Sequence, residues 1–68
     1  MWKLAAKQRI VQDGTTRFRW SDGKGNNIER RWAGECAYIL ILPGGSIYDL
    51  DARNFREAKK EAKEYLNA

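Results

Sequence analysis

Histidine is absent from this 68-residue chain, and with it the commonest general base, metal ligand and catalytic-triad member. Cysteine occurs once, at Cys36, so no internal disulfide can form. That thiol opens an aliphatic run and has no activating neighbour in the sequence, which reads as a buried structural thiol in a reducing compartment and not as a nucleophile. The longest apolar run, Cys36 to Pro43, is too short to cross a bilayer. The opening Met-Trp-Lys has nothing of the cleavable-signal type. Together these absences set the expectation of a cytoplasmic chain that is not an enzyme, binds no metal or cofactor and has no membrane partner.

What remains is ordinary for a globular domain: 43% hydrophobic and 32% charged residues, a balance that disfavours disorder. The length allows one domain over residues 1–68, and a domain of this size buries only about 60% of the surface its unfolded chain exposes. Its core must be thin.

The net charge of +4 is unevenly placed. Residues 1–35 hold Lys3, Lys7, Arg9, Arg17, Arg19, Lys24, Arg30 and Arg31 against Asp13, Asp22, Glu29 and Glu35, whereas residues 36–68 hold equal numbers of each sign. The whole excess lies in the N-terminal half, as expected of a surface that meets a polyanion; solubility alone would also account for a modest net charge.

Hydrophobic periodicity predicts an α+β fold. Residues 2–11 alternate, with Trp2, Leu4, Ala6 and Ile10 on one face and Lys3, Lys7 and Arg9 on the other, the period of a half-buried strand. Residues 15–20 alternate again, with Thr16, Phe18 and Trp20 opposing Thr15, Arg17 and Arg19. A two-residue Asp13-Gly14 turn would mix the faces of these strands. A three-residue loop, with Gly14 closing a G1 bulge, sets Ile10 opposite Thr16 and Gln8 opposite Phe18 and keeps each face consistent. Further strands are expected over about 28–32, 36–42 and 46–50, separated by a flexible polar loop at Ser21 to Asn27, a break at Ala33-Gly34-Glu35 and a three-residue turn at Pro43-Gly44-Gly45 that pairs Ile41 with Ile47 and Leu40 with Tyr48. Asn54 with Glu57 three residues on resembles a capping box, and a helix follows over about 55–66 with Phe55, Ala58, Ala62, Tyr65 and Leu66 as its apolar stripe. The architecture predicted is an antiparallel meander of four to five strands with one C-terminal amphipathic helix packed on one face. Strand 36–42 is apolar on both faces, so either the sheet rolls into a half-barrel or a second subunit, in a homodimer, supplies cover.

Several local patterns carry no chemistry. Gly23-Lys24-Gly25 looks like a phosphate loop but leads into a strand, where a phosphate cradle needs a helix N-terminus. Asp49 and Asp51, two residues apart, suit helix initiation and a sheet edge better than a cation site.

The sharpest candidate is the basic face. In the predicted register Arg9 lies opposite Arg17 and Lys7 opposite Arg19, pairs of like charge that cost a few tenths of a kcal/mol or more, roughly, unless an anion relieves them or the side chains splay into water. Lys3, Arg31 and Lys24 would widen the patch. Trp2 and Trp20 belong to the inward face and hence to the core, while Trp32, beside two arginines near a break, is the candidate for base stacking or a protein hot spot. The strands-then-helix order, ending in EAKKEAKEYL, resembles in architecture the arm-type DNA-binding domains of phage integrases, which implies a sheet face laid in the major groove; the extra hairpin at Cys36 to Leu50 departs from that pattern. Two functions compete. One is nucleic-acid binding through Lys3, Lys7, Arg9, Arg17, Arg19, Arg31 and Trp32. The other is a small phage or mobile-element accessory or inhibitor protein, of the anti-defence class, that docks on a larger protein through its apolar strand and open sheet edges.

Overall fold

A computed structural model of the chain describes residues 1–10, 15–32 and 36–67, with the side chains of all of these except Ile10, Thr15, Trp32 and Cys36. Five strands run β1 (Lys3–Ile10), β2 (Thr15–Ser21), β3 (Asn27–Trp32), β4 (Cys36–Ile41) and β5 (Ile47–Leu50), followed by helix α1 (Phe55–Leu66). They form one antiparallel sheet in sequence order, β1-β2-β3-β4-β5, with β1 and β5 as its edges. The expected meander with a C-terminal helix is the fold. The Gly14 loop and the break at 33–35 lie outside the described residues, as do the side chains of Cys36 and Trp32.

The second hairpin follows from its turn chemistry. Leu42 and Ser46 close a three-residue loop, with the Leu42 N–H donating to the Ser46 carbonyl at 2.9 Å and the Gly45 N–H to the Leu42 carbonyl at 2.9 Å. Gly45 takes φ of 91°, the left-handed step that ends such a loop. The register is as predicted, Ile41 to Ile47 and Leu40 to Tyr48.

The helix starts as its sequence indicates. Asn54 is extended (φ −152°, ψ 171°) and its Oδ1 accepts the Glu57 N–H at 2.9 Å. Glu57 answers by accepting the N–H of Arg53, one residue before the cap, where a standard capping box would return to Asn54 itself. Ala58 and Ala62 are fully buried against the sheet, and α1 packs on β3, β4 and β5, with Phe55 also reaching Trp20 of β2. The small side chains let the helix axis lie close; of the expected stripe, Phe55 is half-buried, and Tyr65 and Leu66 are exposed, Tyr65 meeting Tyr48 in a tilted contact with centroids 4.9 Å apart.

Under the helix lie Ile28, Tyr38, Leu40 and Leu50, with Trp2, Trp20, Leu42, Ala52 and Phe55 packed around them. Ile28 and Leu40 are the largest side chains with no exposure, each contributing roughly 1.5–3 kcal/mol of burial. Register places Ile39 on the opposite face between Glu29 and Asp49, and it too is buried. Beyond it the cover runs out, since Ile41 is half-buried and Ile47 exposed, and no second layer covers that face among the described residues.

The first hairpin departs from expectation. Its register is Ile10 to Thr15, Arg9 to Thr16, Gln8 to Arg17 and Lys7 to Phe18, one residue away from the predicted pairing. A shift between Leu4 and Ala6 then makes Ala5 an extra residue, so that Leu4 pairs with Trp20 and Lys3 with Ser21. The bulge inverts the alternation along β1. Leu4 faces the helix side before it; after it Lys7 and Arg9 do, and Ala6 and Gln8 turn outward.

Candidate polyanion-binding surfaces

The bulge divides the predicted basic face. Lys3, Arg17, Arg19 and Arg31 point away from the helix, whereas Lys7 and Arg9 share the helix side with Phe18, Trp20 and Arg30. The expectation that Lys7 and Arg9 stand opposite Arg19 and Arg17 is therefore corrected. Directly paired strand residues share a face, and these four are not paired. The side chain of Trp32 lies outside the described residues, so its proposed stacking role has no geometry here.

On the outer face, Arg17 and Arg19 stand two apart on β2, both exposed, with neither in an ion pair among the described residues. Gln8, Glu29 and Arg31 complete a shallow groove of about 260 Å³ around them. Glu29 lies directly across from Arg19 but is engaged elsewhere: both Nε and Nη2 of Arg31 reach its Oε1, at 3.0 and 2.9 Å. Arg31 is thus largely neutralised. Arg17 and Arg19, with the exposed Lys3 on the same face, carry the open positive charge of this side.

On the helix side, cations sit on rings. Lys7 Nζ lies 5.7 Å and Arg30 Cζ 5.3 Å from the Phe18 centroid. Phe18 stacks on Trp20 at 5.7 Å and Trp20 on Phe55 at 3.9 Å, and Lys59 Nζ closes the row 5.2 Å from the Phe55 ring. The rings are used within the protein, each face taken by a neighbour. This row supports the hairpin on the helix and is a poor platform for an added base.

A third surface was not foreseen from sequence. Between the start of β1, the β2–β3 loop and α1 lies a cleft of about 830 Å³, walled by Trp2, Lys24, Lys59, Lys60, Lys63 and Leu66. Its loop wall is not an open polar tip, as the run SDGKGNN suggests, but is gathered around Asp22. Asp22 Oδ1 accepts the N–H groups of Lys24 at 2.8 Å and Asn26 at 3.2 Å, and Oδ2 accepts Asn26 Nδ2 at 2.7 Å. Burial disfavours the Asp22 anion, but these hydrogen bonds and the Lys24 charge outweigh it and hold the carboxyl below its ordinary range. Gly25, at φ of 90°, lets the loop lie against Pro43, which a Cβ there would meet at 3.1 Å. Asn26 is 9% exposed.

The helical wall is segregated by charge. At 3.6 residues per turn, Lys59 and Lys63 stand one above the other on the flank facing the cleft and Glu57 and Glu61 on the other, while Lys60 and Glu64, also one turn apart, share the boundary between them. Glu57 and Glu61 are held on their flank by accepting the N–H groups of Arg53 and Asp51 at 2.9 and 3.0 Å. Like pairs four apart, Lys59 with Lys63 and Glu57 with Glu61, each cost about 0.2–0.5 kcal/mol in an isolated helix. The spacing of these lysines is legible in the sequence, but their approach to the β2–β3 loop is not.

Among the described residues no group of three or more histidine, cysteine, aspartate or glutamate side chains is placed to hold a metal ion, and no helix is long and apolar enough to cross a membrane. No known family's sequence profile matches the chain, and no curated protein or solved structure is significantly similar to it.

Proposed function

We propose that this chain is a non-enzymatic binding module that takes nucleic acid on the outer face of its first three strands. The observation that carries the reading is the pair Arg17 and Arg19: exposed, on one face, and without a carboxylate partner, because the acid nearest in register is bound by Arg31. Two guanidiniums on alternate residues of a strand present their donors in one direction, toward phosphate oxygens, and Lys3 extends the field along the sheet. Contacts of this kind give affinity with little sequence selectivity and release counterions on binding. Lys7 and Arg9 belong to the opposite side and have no part in it.

The test is fluorescence anisotropy with single- and double-stranded DNA and RNA across a salt series. Binding should weaken steeply with salt, and Arg17→Glu/Arg19→Glu should lower affinity at least tenfold with the slope of log K against log salt reduced by roughly two. Lys7→Glu/Arg9→Glu should bind like the parent. Equal binding by the Arg17/Arg19 variant, folded by circular dichroism, would end the proposal.

A second reading rests on a different observation. The outer face continues from Ile39 through half-buried Ile41 to Ile47, which is 57% exposed, beside the open edge of β5. An apolar strip along a free edge suits a protein partner, as for a small accessory or inhibitor protein on a larger target or for a second copy of the chain. Stoichiometric co-purification that survives nuclease and high salt and is abolished by Ile47→Lys would favour it over the first.

A further inference from the structure

We infer that the lysine-walled cleft between α1 and the β2–β3 loop is a second, separate binding site, and that its ligand is a nucleoside polyphosphate. Four lysines, Lys24, Lys59, Lys60 and Lys63, line one concavity, and none is in an ion pair among the described residues; the Lys59 ammonium also rests 5.2 Å from the Phe55 ring. Asp22, the only carboxylate among the described residues of the wall, has both oxygens hydrogen-bonded within the loop and its charge meets that of Lys24, which leaves the three helix lysines in excess. Of the helix acids, Glu57 and Glu61 are on the far flank, bound to backbone N–H groups of the β5–α1 connection, and Glu64, one turn beyond Lys60, is in no ion pair among the described residues. A concave surface of one sign concentrates its field, and the charge of three or four linked phosphate oxygens matches that of the lysines.

The remaining walls suit the rest of such a ligand. Trp2 is half-buried, packed on the core, with its ring in the cleft wall, which fixes an aromatic surface where a base could stack. Asn26, a residue of the cleft wall, is almost wholly buried and donates its amide N–H to Asp22, while its amide oxygen accepts no hydrogen bond from the described residues, an acceptor that an exocyclic amine would satisfy. The volume of about 830 Å³ is within the span of small-ligand sites. A bare phosphate would use the lysines and leave Trp2 and Asn26 idle. The site lies on the helix side of the sheet, away from Arg17 and Arg19, and so stands or falls apart from the nucleic-acid reading.

Isothermal titration of the full chain with adenosine triphosphate, inorganic tripolyphosphate, adenosine and a short single-stranded oligonucleotide tests the assignment. The triphosphate should bind one to one, at least tenfold tighter than tripolyphosphate, and adenosine alone should not bind measurably. Lys60→Glu/Lys63→Glu, on exposed helix positions, should weaken triphosphate binding at least tenfold while leaving oligonucleotide binding within twofold of the parent. Lys24→Glu, in the loop, should do the same and guards against a helix defect. Arg17→Glu/Arg19→Glu should keep triphosphate binding intact. Absence of triphosphate binding at millimolar concentration, tripolyphosphate binding as tightly as the nucleotide, or unchanged affinity in both lysine variants would each overturn the inference.

Discussion

Lys7 lies directly across the sheet from Phe18, with its ammonium 5.7 Å from the ring centroid. The contact puts a cation whose sequence neighbours suggest a solvent-facing patch onto the aromatic row beneath the helix. An exposed cation–ring contact contributes about 0.5–1 kcal/mol. Lys7→Ala should therefore lower unfolding free energy by up to that amount in urea titration and leave nucleic-acid affinity within twofold of the parent. A stability-neutral variant that loses binding would return Lys7 to the ligand surface.

Ile28 and Ile47 separate core from edge. Ile28 has no exposure beneath the helix, whereas Ile47 is 57% exposed at the start of the edge strand. Ile28→Val should cost about 0.5–1.5 kcal/mol and Ile47→Val less than about 0.5 kcal/mol. Equal losses would mean that something covers the β5 edge in solution, and a concentration-dependent melting temperature for the parent would identify that cover as a second copy.

The two glycines Gly25 and Gly44 should respond oppositely to alanine. Gly25 combines φ of 90° with Pro43 Cγ at 3.1 Å from any added Cβ, while Gly44 has neither a positive φ nor an atom within 4 Å. Gly25→Ala should destabilise by about 1–2 kcal/mol or more from its backbone alone. Gly44→Ala should be neutral or stabilise by up to about 1 kcal/mol, by restricting the unfolded chain. Thermal melts of the two variants decide the matter.

Asp22 gives the fold an acid dependence of known sign. Its carboxyl is held below the ordinary value of 3.8, so the unfolded chain binds that proton more readily than the folded one. The stabilisation is complete above the ordinary value and is lost as pH falls through the depressed one. Asp22→Asn should accordingly be less stable than the parent at pH 7, with the gap closing as pH falls below 3.8. A gap that is the same at both pH values would show that the carboxylate's charge does not hold the loop.

The elements were largely legible in the sequence, for local reasons. The strand segments, Asn54 and Glu57 at a helix start, and Ala58 with Ala62 on one side of a helix are fixed by spacings of two to four residues, and all appear where those spacings place them. The Pro43-Gly44-Gly45 turn likewise set the β4–β5 register, because a three-residue loop with a left-handed third position allows one pairing. The candidate site was legible only in part. Lys3, Arg17, Arg19 and Arg31 do share a face, but Lys7 and Arg9 do not join them, since the strand's alternation is broken at Ala5.

Alanine at position 5 carries no local mark of a bulge. A bulge is favoured when both ends of a strand must satisfy different neighbours at once: here Trp2 packs on the core as Trp20 does, while Lys7 meets the Phe18 ring. The lysine cleft has the same origin, uniting a loop at position 24 with a helix at positions 59–63 that only packing brings together. Residue types and their short-range spacing thus determined which segments are strand, turn and helix. Which charges face the same way was decided by a single unpaired residue and by the docking of the helix, because facing is a property of pairing between distant segments.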